Sequence, residues 1–318
     1  MKHLDEIRNK ITGPVFSVIT PFRETDDEID YDALEKYLQY TYDAGGRIFY
    51  VMAYNSRFHE LSWEEIKILN TFVTKTVKGI DSNCIVIVAD PLNCSTNVSI
   101  EFTRHAEIIG ADLISLVFRE KVYSDDQVYK HYKKIAESTG IGLLIHEMKF
   151  ISGYGDFIYN WPVESLDRLA DIPNVIAIKE DAKEDDFTRE VINKIKDRVS
   201  IILAGGGKSQ WLRFSDDGCQ AYLNGIGVFE PKLAVRFREH YLNGNMAACM
   251  RIVNEIEAPF FAEAVKKFGW HLTIKAAMEA RGHISRYERM PMVALDKEKA
   301  KMVSSVMEKL PIEELSKK

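Results

Sequence analysis

The sequence has few cysteines and none of the paired spacings that hold metals or disulfides. Its four cysteines are scattered, and no CxxC occurs. A disulfide framework or a zinc site is therefore not expected, and small core residues are the better interpretation. His59-Glu60 and His146-Glu147 suggest metal ligands, but neither belongs to an HExxH spacing. We expect no metal.

Long apolar runs and a strong charge excess are also lacking. No apolar run approaches the ~20 residues that a membrane helix needs. The first residues, MKHLDEIRNK, lack the apolar stretch of a signal peptide, so we expect a cytoplasmic protein. The net charge is −6 and the pI about 5.8. We therefore expect no nucleic-acid or membrane partner.

Short apolar runs, by contrast, recur regularly between segments of helical spacing. They cover residues 14–20, 47–53, 83–89, 111–118, 141–146, 174–179, 199–204 and 220–225. Eight strands alternating with helices predict a (β/α)8 barrel, the TIM-barrel fold. A doubly wound open sheet is the alternative, but its first turn often carries GxGxxG when it binds a dinucleotide. The first turn here, TPFRETDDEID, contains no glycine.

Helix signals fill the spaces between the apolar runs. The segment Ser62 to Glu65 reads as a capping box, and Gly110 is expected to end the helix over 96–109. After about residue 245 the chain has helical segments over 246–267, 271–281 and 295–310 without further strands. The sequence therefore predicts a barrel over 1–244 and a C-terminal helical extension over 245–318.

In the segment NVIAIKED, an apolar run is followed by a lysine, Lys179. The apolar residues before it suit a strand buried on both faces, and Lys179 either marks where this strand reaches solvent or stands at a pocket. In a (β/α)8 barrel the active site lies at the C-terminal ends of the strands. Lys179 would close the sixth strand and lie at the rim of that site.

Several motifs together resemble one family. GPVFSVITPF with DEIDYDALEKYL, HELSWEE, RHAEIIGAD, VIAIKEDAKED and KAAMEARGHISRYERMPMVAL occur in the family's order and spacing. The chain resembles, over nearly its whole length, the pyruvate-dependent class I aldolases typified by dihydrodipicolinate synthase and N-acetylneuraminate lyase. The resemblance implies a TIM barrel, no cofactor, and a Schiff-base lysine at Lys179.

The chemistry implied by the resemblance suits this lysine. A lysine must be neutral to attack a ketone, and its ordinary pKa is near ~10.4. An apolar barrel disfavours the ammonium form, as catalytic lysines require. The imine then withdraws electrons, so that a bond beyond the neighbouring carbon breaks or forms through an enamine.

The loop after the second strand departs from the family pattern. Relatives have Gly-Thr/Ser-Thr/Asn-Gly-Glu there, and this chain has Ala53, Tyr54, Asn55, Ser56 and Arg57. We expect Tyr54 and Asn55 to bind substrate. Arg57 is expected either to bind a substrate carboxylate through bidentate hydrogen bonds from its guanidinium or to form a structural ion pair.

The family's proton-shuttling tyrosine is also missing. After the fifth strand relatives have Tyr-Asn-x-Pro, and this chain has His146 followed by Glu147. Imidazole titrates near neutrality, so we expect His146 to act as the general acid/base. Tyr159, within YNWP, is the alternative if it folds back into the site. The tyrosine pair after the fourth strand is absent too, and Tyr123 is out of register.

Two further positions match the family's site. Gly205 lies after the seventh strand, where relatives have a glycine lining the site, and Leu223 belongs to the eighth-strand segment whose backbone faces the substrate.

The sequence therefore predicts a carbon–carbon lyase that acts on pyruvate or a pyruvate-derived 2-oxo acid. The alternatives are a dehydratase or hydratase-aldolase that uses the same imine, and a non-catalytic relative that binds a keto acid. By resemblance we also expect a homo-oligomer, a dimer or a tetramer.

Overall fold

Eight parallel strands close into a barrel. The structure, a computed structural model, describes residues 2–118, 124–147 and 161–317. Each strand pairs with the next along the chain and the eighth pairs with the first, which confirms the predicted (β/α)8 barrel. The strands are β1 (Gly13–Ser17), β2 (Ile48–Tyr50), β3 (Ile85–Ala89), β4 (Leu113–Leu116), β5 (Gly142–His146), β6 (Val175–Glu180), β7 (Ser200–Leu203) and β8 (Ala221–Leu223).

A helix follows every strand, and one more precedes the barrel. The first is α1 (Lys2–Lys10), for which the sequence analysis predicted no element. Ile7 of α1 and Ile11 after it belong to the apolar cluster that fills the barrel interior. The helices that follow the strands are α2 (Tyr31–Asp43), α3 (Trp63–Ile80), α4 (Thr96–Ile109), α5 (Asp125–Ala136), α6 (Val163–Ala170), α7 (Asp185–Ile195), α8 (Gly207–Phe214) and α9 (Pro231–Leu242).

The predicted ends of two helices are confirmed. The Ser62 side chain accepts a hydrogen bond from Glu65 N, and the Glu65 carboxylate accepts one from Ser62 N, which is a complete capping box before α3. Gly110 ends α4 with a φ of 82°, in the left-handed region that glycine adopts without a steric penalty.

The chain after α9 is helical, as predicted. It forms α10 (Met246–Arg251), α11 (Ala258–Phe260), α12 (Lys266–Phe268), α13 (Trp270–Ala280), α14 (Lys297–Lys309) and α15 (Ile312–Ser316). Two π-helical turns, 252–257 and 261–265, separate α10, α11 and α12. Pro259 lies between these turns and gives a physical reason for the irregularity, because proline has no N–H to donate within an α-helix. Within the described ranges, no helix is long and apolar enough to cross a membrane.

Candidate active site

The side chain of Lys179 is buried at the C-terminal end of β6. It is only 1% exposed, although Lys179 is the next-to-last residue of the strand. In the sheet Lys179 lies beside His146 of β5 and Ile202 of β7. The strand therefore does not reach solvent at this lysine, and the pocket interpretation is the one that agrees with its burial.

Two other side chains meet the Lys179 amine. Its Nζ atom lies 2.6 Å from Nε2 of His146 and 3.1 Å from Oδ2 of Asp181. The same Asp181 oxygen is 3.8 Å from His146 Nε2. The two catalytic residues expected from the sequence are thus in contact, and Asp181 completes a cluster of three.

Asp181 was not assigned a role from the sequence, although strand periodicity could have found it. Side chains two residues apart in an extended chain share a face, so the alternation that turns Lys179 inward also turns Asp181 inward. Burial raises the pKa of the Asp181 carboxyl, but the charge of Lys179 and the hydrogen bond with His146 outweigh this and lower the pKa to about 2. Asp181 is therefore a carboxylate at neutral pH.

The carboxylate of Asp181 has a direct consequence for the lysine. The Asp181 Oδ2 atom accepts a hydrogen bond from Nζ (3.1 Å), and a lysine in its ammonium form donates to Asp181 and to His146 at once. An ammonium has only donors, so its contact with His146 requires an unprotonated Nε2. His146 is then placed to accept the proton that Lys179 must lose before it can act as a nucleophile.

Tyr50 and Ser115 form a second polar contact in the barrel interior. The Tyr50 hydroxyl lies 2.5 Å from Ser115 Oγ, and both residues are buried. Burial raises the pKa of Tyr50, and the charge of Asp181 acts in the same direction, so the phenol is neutral. Neither residue was predicted from the sequence to belong to the site. Ser115 is the polar residue in the apolar run ADLISLVF, and that contrast was an available signal.

The loop after β2 is tied to both ends of the chain. Asn55 donates to Ser17 Oγ at the end of β1 (3.0 Å) and accepts from Trp270 Nε1 at the start of α13 (3.3 Å). Ser56 donates through Oγ to Val18 O (2.5 Å). These contacts hold Asn55 at the barrel mouth and bring the C-terminal helices to the loop.

Arg57 is buried in an ion-pair network. Its guanidinium donates through Nε (3.0 Å) and Nη2 (2.8 Å) to one carboxylate oxygen of Glu288. The other donors meet the carbonyl oxygens of Asn55 and His271 and the Nδ1 atom of His271. All five N–H groups are thereby engaged, so the structure favours the structural ion pair over direct binding of a substrate carboxylate.

Tyr54, Leu223 and Gly205 lie around the same end of the barrel. Tyr54 and Leu223 are half-buried and pack against the apolar cluster of the barrel interior. A Cβ placed on Gly205 would lie 2.9 Å from Oδ1 of Asp181 and 2.3 Å from Cγ of Lys183. A side chain at position 205 would therefore displace Lys183, the carboxylate that contacts Lys179, or both.

Two buried carboxyl groups lie just outside this cluster. Glu147 is fully buried, and its Oε1 atom accepts a hydrogen bond from Trp161 N (3.5 Å). Burial and repulsion from Glu180 raise the pKa of Glu147 to about 7. Burial also raises the pKa of Glu180, although Thr188 Oγ1 donates to its carboxylate (2.8 Å). The pKa values of both groups are therefore raised, whereas the pKa of Asp181, whose carboxylate contacts the Lys179 amine, is lowered.

Two tyrosines considered from the sequence, Tyr123 and Tyr159, lie outside the described residues. Across the described ranges, no group of three or more His, Cys, Asp or Glu side chains has the arrangement of a metal site.

The comparisons with known proteins agree with the fold and with the motifs. The model of the dihydrodipicolinate synthetase family matches residues 10–310. The chain belongs to this family. The resemblance inferred from the sequence is thereby confirmed.

Two of the similar curated proteins are distant relatives with different names. A probable 5-dehydro-4-deoxyglucarate dehydratase from a Chelativorans species is 28% identical over 219 residues, which are 67% of this chain and 69% of the relative. A 4-hydroxy-tetrahydrodipicolinate synthase from Phocaeicola vulgatus is 26% identical over 290 residues, 90% of this chain and 93% of the relative. The family therefore supports a lyase-type enzyme in general, and it does not fix the substrate.

Solved structures share the fold at low identity. The 4-hydroxy-tetrahydrodipicolinate synthase of Methylacidiphilum fumariolicum SolV superposes with a TM-score of 0.82 at 20% identity, covering 96% of this chain and 97% of that protein. YagE of Escherichia coli K12, solved in complex with pyruvate, gives a TM-score of 0.81 at 18% identity, covering 95% and 99%.

Proposed function

We propose that this protein is a lyase that forms a Schiff base between Lys179 and a 2-oxo acid, pyruvate or a derivative of it. The observation that carries the proposal is the placement of a buried lysine amine 2.6 Å from an imidazole and 3.1 Å from a carboxylate. A nucleophile in contact with its base is the arrangement that covalent catalysis needs.

The first step follows from this cluster. The Lys179 ammonium passes a proton to His146 Nε2, and the free amine attacks C2 of the 2-oxo acid. The imidazolium returns its proton to the former carbonyl oxygen, and the imidazole then carries a second proton from the attached nitrogen to the same oxygen. The oxygen leaves as water, and the protonated imine forms with one proton on its nitrogen. Asp181 remains an anion throughout and stabilises the positive charge that moves between the amine, the imidazole and the imine.

The carbon–carbon step uses the imine as an electron acceptor. When the substrate carries a hydroxyl on C4, a base removes the hydroxyl proton, the bond between C3 and C4 breaks, and its electrons form an enamine. We assign His146 as this base, because it already contacts the nitrogen that becomes the imine. Protonation of the enamine at C3 and hydrolysis then release pyruvate.

Substrate binding is assigned to the loop after β2 and to the end of β8. We place the substrate carboxylate at the backbone of Tyr54 and Asn55, with Gly205 and Leu223 lining the pocket. Arg57 acts indirectly, since its donors are engaged and one of them holds the Asn55 carbonyl (2.9 Å).

A dehydratase that uses the same imine is the second candidate. It is favoured by the name of the relative that is 28% identical, a probable 5-dehydro-4-deoxyglucarate dehydratase. With a 4-hydroxy-2-oxo acid, cleavage gives pyruvate and an aldehyde, whereas dehydration leaves the carbon chain intact. Product analysis by mass spectrometry therefore separates the two reactions.

Assembly into a homo-oligomer remains an expectation from the resemblance. One similar structure, with a TM-score of 0.82 at 21% identity, is described as a monomeric dihydrodipicolinate synthase variant. The fold itself therefore does not require oligomerisation.

The imine is tested by trapping. The protein is incubated with pyruvate, reduced with borohydride and digested, and the adduct is located by mass spectrometry. We expect an adduct on Lys179 that is lost in Lys179→Arg and kept in Lys194→Arg, a control at a half-exposed lysine of α7 that pairs with Asp167. A wild-type protein without the adduct would overturn the proposal, and an adduct without turnover of any 2-oxo acid would favour a keto-acid-binding protein.

A further inference from the structure

His271 belongs to the C-terminal helices, yet its ring stands at the mouth of the barrel. It is the second residue of α13, next to Trp270, whose Nε1 donates to Asn55 Oδ1. The His271 ring lies 4.6 Å from the ring of Tyr54, centroid to centroid, in an edge-on contact. Tyr54 packs on the barrel interior together with Leu223, so His271 contacts a residue that faces that interior.

The proton position on this imidazole follows from its contact with Arg57. Nη1 of Arg57 lies 2.8 Å from Nδ1 of His271. A guanidinium has donors and no acceptor, so Nδ1 must accept and carries no proton. The proton of the neutral ring is therefore on Nε2. Burial, followed by the nearby charges of Arg57 and His59, lowers the pKa of His271 to about 3, which keeps the ring neutral.

Arg57 cannot easily turn away from the imidazole. Two of its donors hold Glu288, and Glu288 also accepts from Lys275 Nζ (2.7 Å). The backbone of Arg57 has a φ of 64°, and its Nη2 also donates to the His271 carbonyl (3.0 Å). This buried network fixes both the ring of His271 and its tautomer.

The Nε2–H group that results is available for binding. It makes no hydrogen bond with any residue that the structure describes, and it is not among the buried polar atoms without a partner. His271 itself is half-buried. A neutral donor of fixed direction, beside Tyr54 at the barrel mouth, selects a ligand that presents a hydrogen-bond acceptor to it.

We propose that His271 is a specificity-determining residue whose Nε2–H binds a hydroxyl oxygen in the part of a 2-oxo acid beyond C3. The inference rests on the proposed imine at Lys179 and adds the substrate class: a 2-oxo acid with a hydroxylated tail. The C-terminal helices thereby supply a substrate contact, and the barrel supplies the reacting groups.

The test compares two acids that differ by one hydroxyl, 2-oxopentanoate and 5-hydroxy-2-oxopentanoate. A hydroxyl on C5 takes no part in cleavage between C3 and C4, so the trapped adduct reports binding alone. For each acid, the concentration that gives half-maximal borohydride-trapped adduct on Lys179 is measured in the wild type, His271→Phe and His271→Gln. Thermal unfolding of each variant checks the fold.

We expect His271→Phe to raise the half-maximal concentration about three- to tenfold for the hydroxylated acid and to leave it unchanged for 2-oxopentanoate. His271→Gln, which keeps an N–H donor at the corresponding place, should recover part of the loss. An equal change for both acids, or no change for either, would overturn the role of His271 while leaving the imine intact. If the wild type forms no adduct with pyruvate or either acid, the proposed function fails and this inference fails with it.

Discussion

The Nζ atom of Lys179 and the Nε2 atom of His146 are 2.6 Å apart on neighbouring strands of the barrel. Their strands are paired in register at these two residues, so the contact is set by the sheet and not by a loop. A rigid scaffold holds catalytic groups more precisely than a loop does, which makes the pair suited to repeated proton transfer. The first prediction tests that transfer.

Replacing His146 with Phe keeps a ring at this position and removes the proton acceptor. We expect turnover to fall about 100-fold or more, because general acid/base groups contribute on that scale. The imine should still form, more slowly, since another base can take the lysine proton. Steady-state rates and the borohydride-trapped adduct are measured together.

The matched control is His131→Phe, at a half-buried histidine of α5 whose ring contacts Thr96 Oγ1 (3.0 Å). That variant should keep both turnover and adduct. Wild-type turnover in His146→Phe would exclude His146 as the proton shuttle.

Arg57 is predicted to be needed for stability. Arg57→Ala leaves the buried Glu288 carboxylate with Lys275 as its remaining cation, and breaking a buried pair costs about 3–5 kcal/mol. Urea denaturation should show this loss in the free energy of unfolding. Arg213→Ala, which removes a half-exposed ion pair with Asp185, should cost under about 1 kcal/mol. Equal costs for the two variants would contradict a buried structural role for Arg57.

Glu147 makes stability depend on pH. Its pKa is raised in the folded protein from 4.5 to about 7, so the folded state binds more protons than the unfolded state between these values. The free energy of unfolding should therefore decrease as the pH rises from about 4.5 to 7, by about 1–3 kcal/mol from this group.

Glu147→Gln should remove that part of the slope. The variant is expected to gain stability relative to the wild type at pH 8 and to gain little at pH 4.5. Chemical denaturation at both pH values measures the difference. The same difference at both pH values would show that Glu147 does not titrate in this range.

The barrel and its central residues could be predicted from the sequence because local pattern carries them. The eight apolar runs predict the strands, and the residue at the C-terminal end of each run is predicted to lie at the mouth of the barrel. The strand pattern placed Lys179 at the mouth of the barrel, the family resemblance pointed to the roles of Lys179 and His146, and the period of two could have added Asp181. A prediction from strand periodicity needs no information about distant parts of the chain.

The role of Arg57 could not be settled from the sequence. Its partner Glu288 is 231 residues away, and Trp270 is 215 residues from Asn55. No periodicity connects such positions, and the contacts exist only after the C-terminal helices have packed on the barrel. The sequence therefore left ion pair and substrate ligand as equal alternatives for Arg57, and it gave no reason to consider His271.

Gly205 provides a test of how tightly the site is packed. A Cβ on this residue would lie 2.9 Å from Asp181 Oδ1 and 2.3 Å from Lys183 Cγ, so Gly205→Ala must move the Asp181 side chain, the exposed Lys183, or both. Moving the carboxylate weakens its hold on the Lys179 ammonium, and displacements of about 1 Å in an active site can cost ~100-fold in rate.

We expect Gly205→Ala to lower turnover strongly while the thermal midpoint changes little, because the clash is with side chains at the barrel mouth. Gly79→Ala is the matched control, since a Cβ on that α3 glycine meets nothing within 4 Å. It should keep full turnover and raise stability by about 0.5–1 kcal/mol, the usual gain from alanine in a helix. Undiminished turnover in Gly205→Ala would mean that Lys183 alone gives way and that the position of Asp181 does not depend on the glycine.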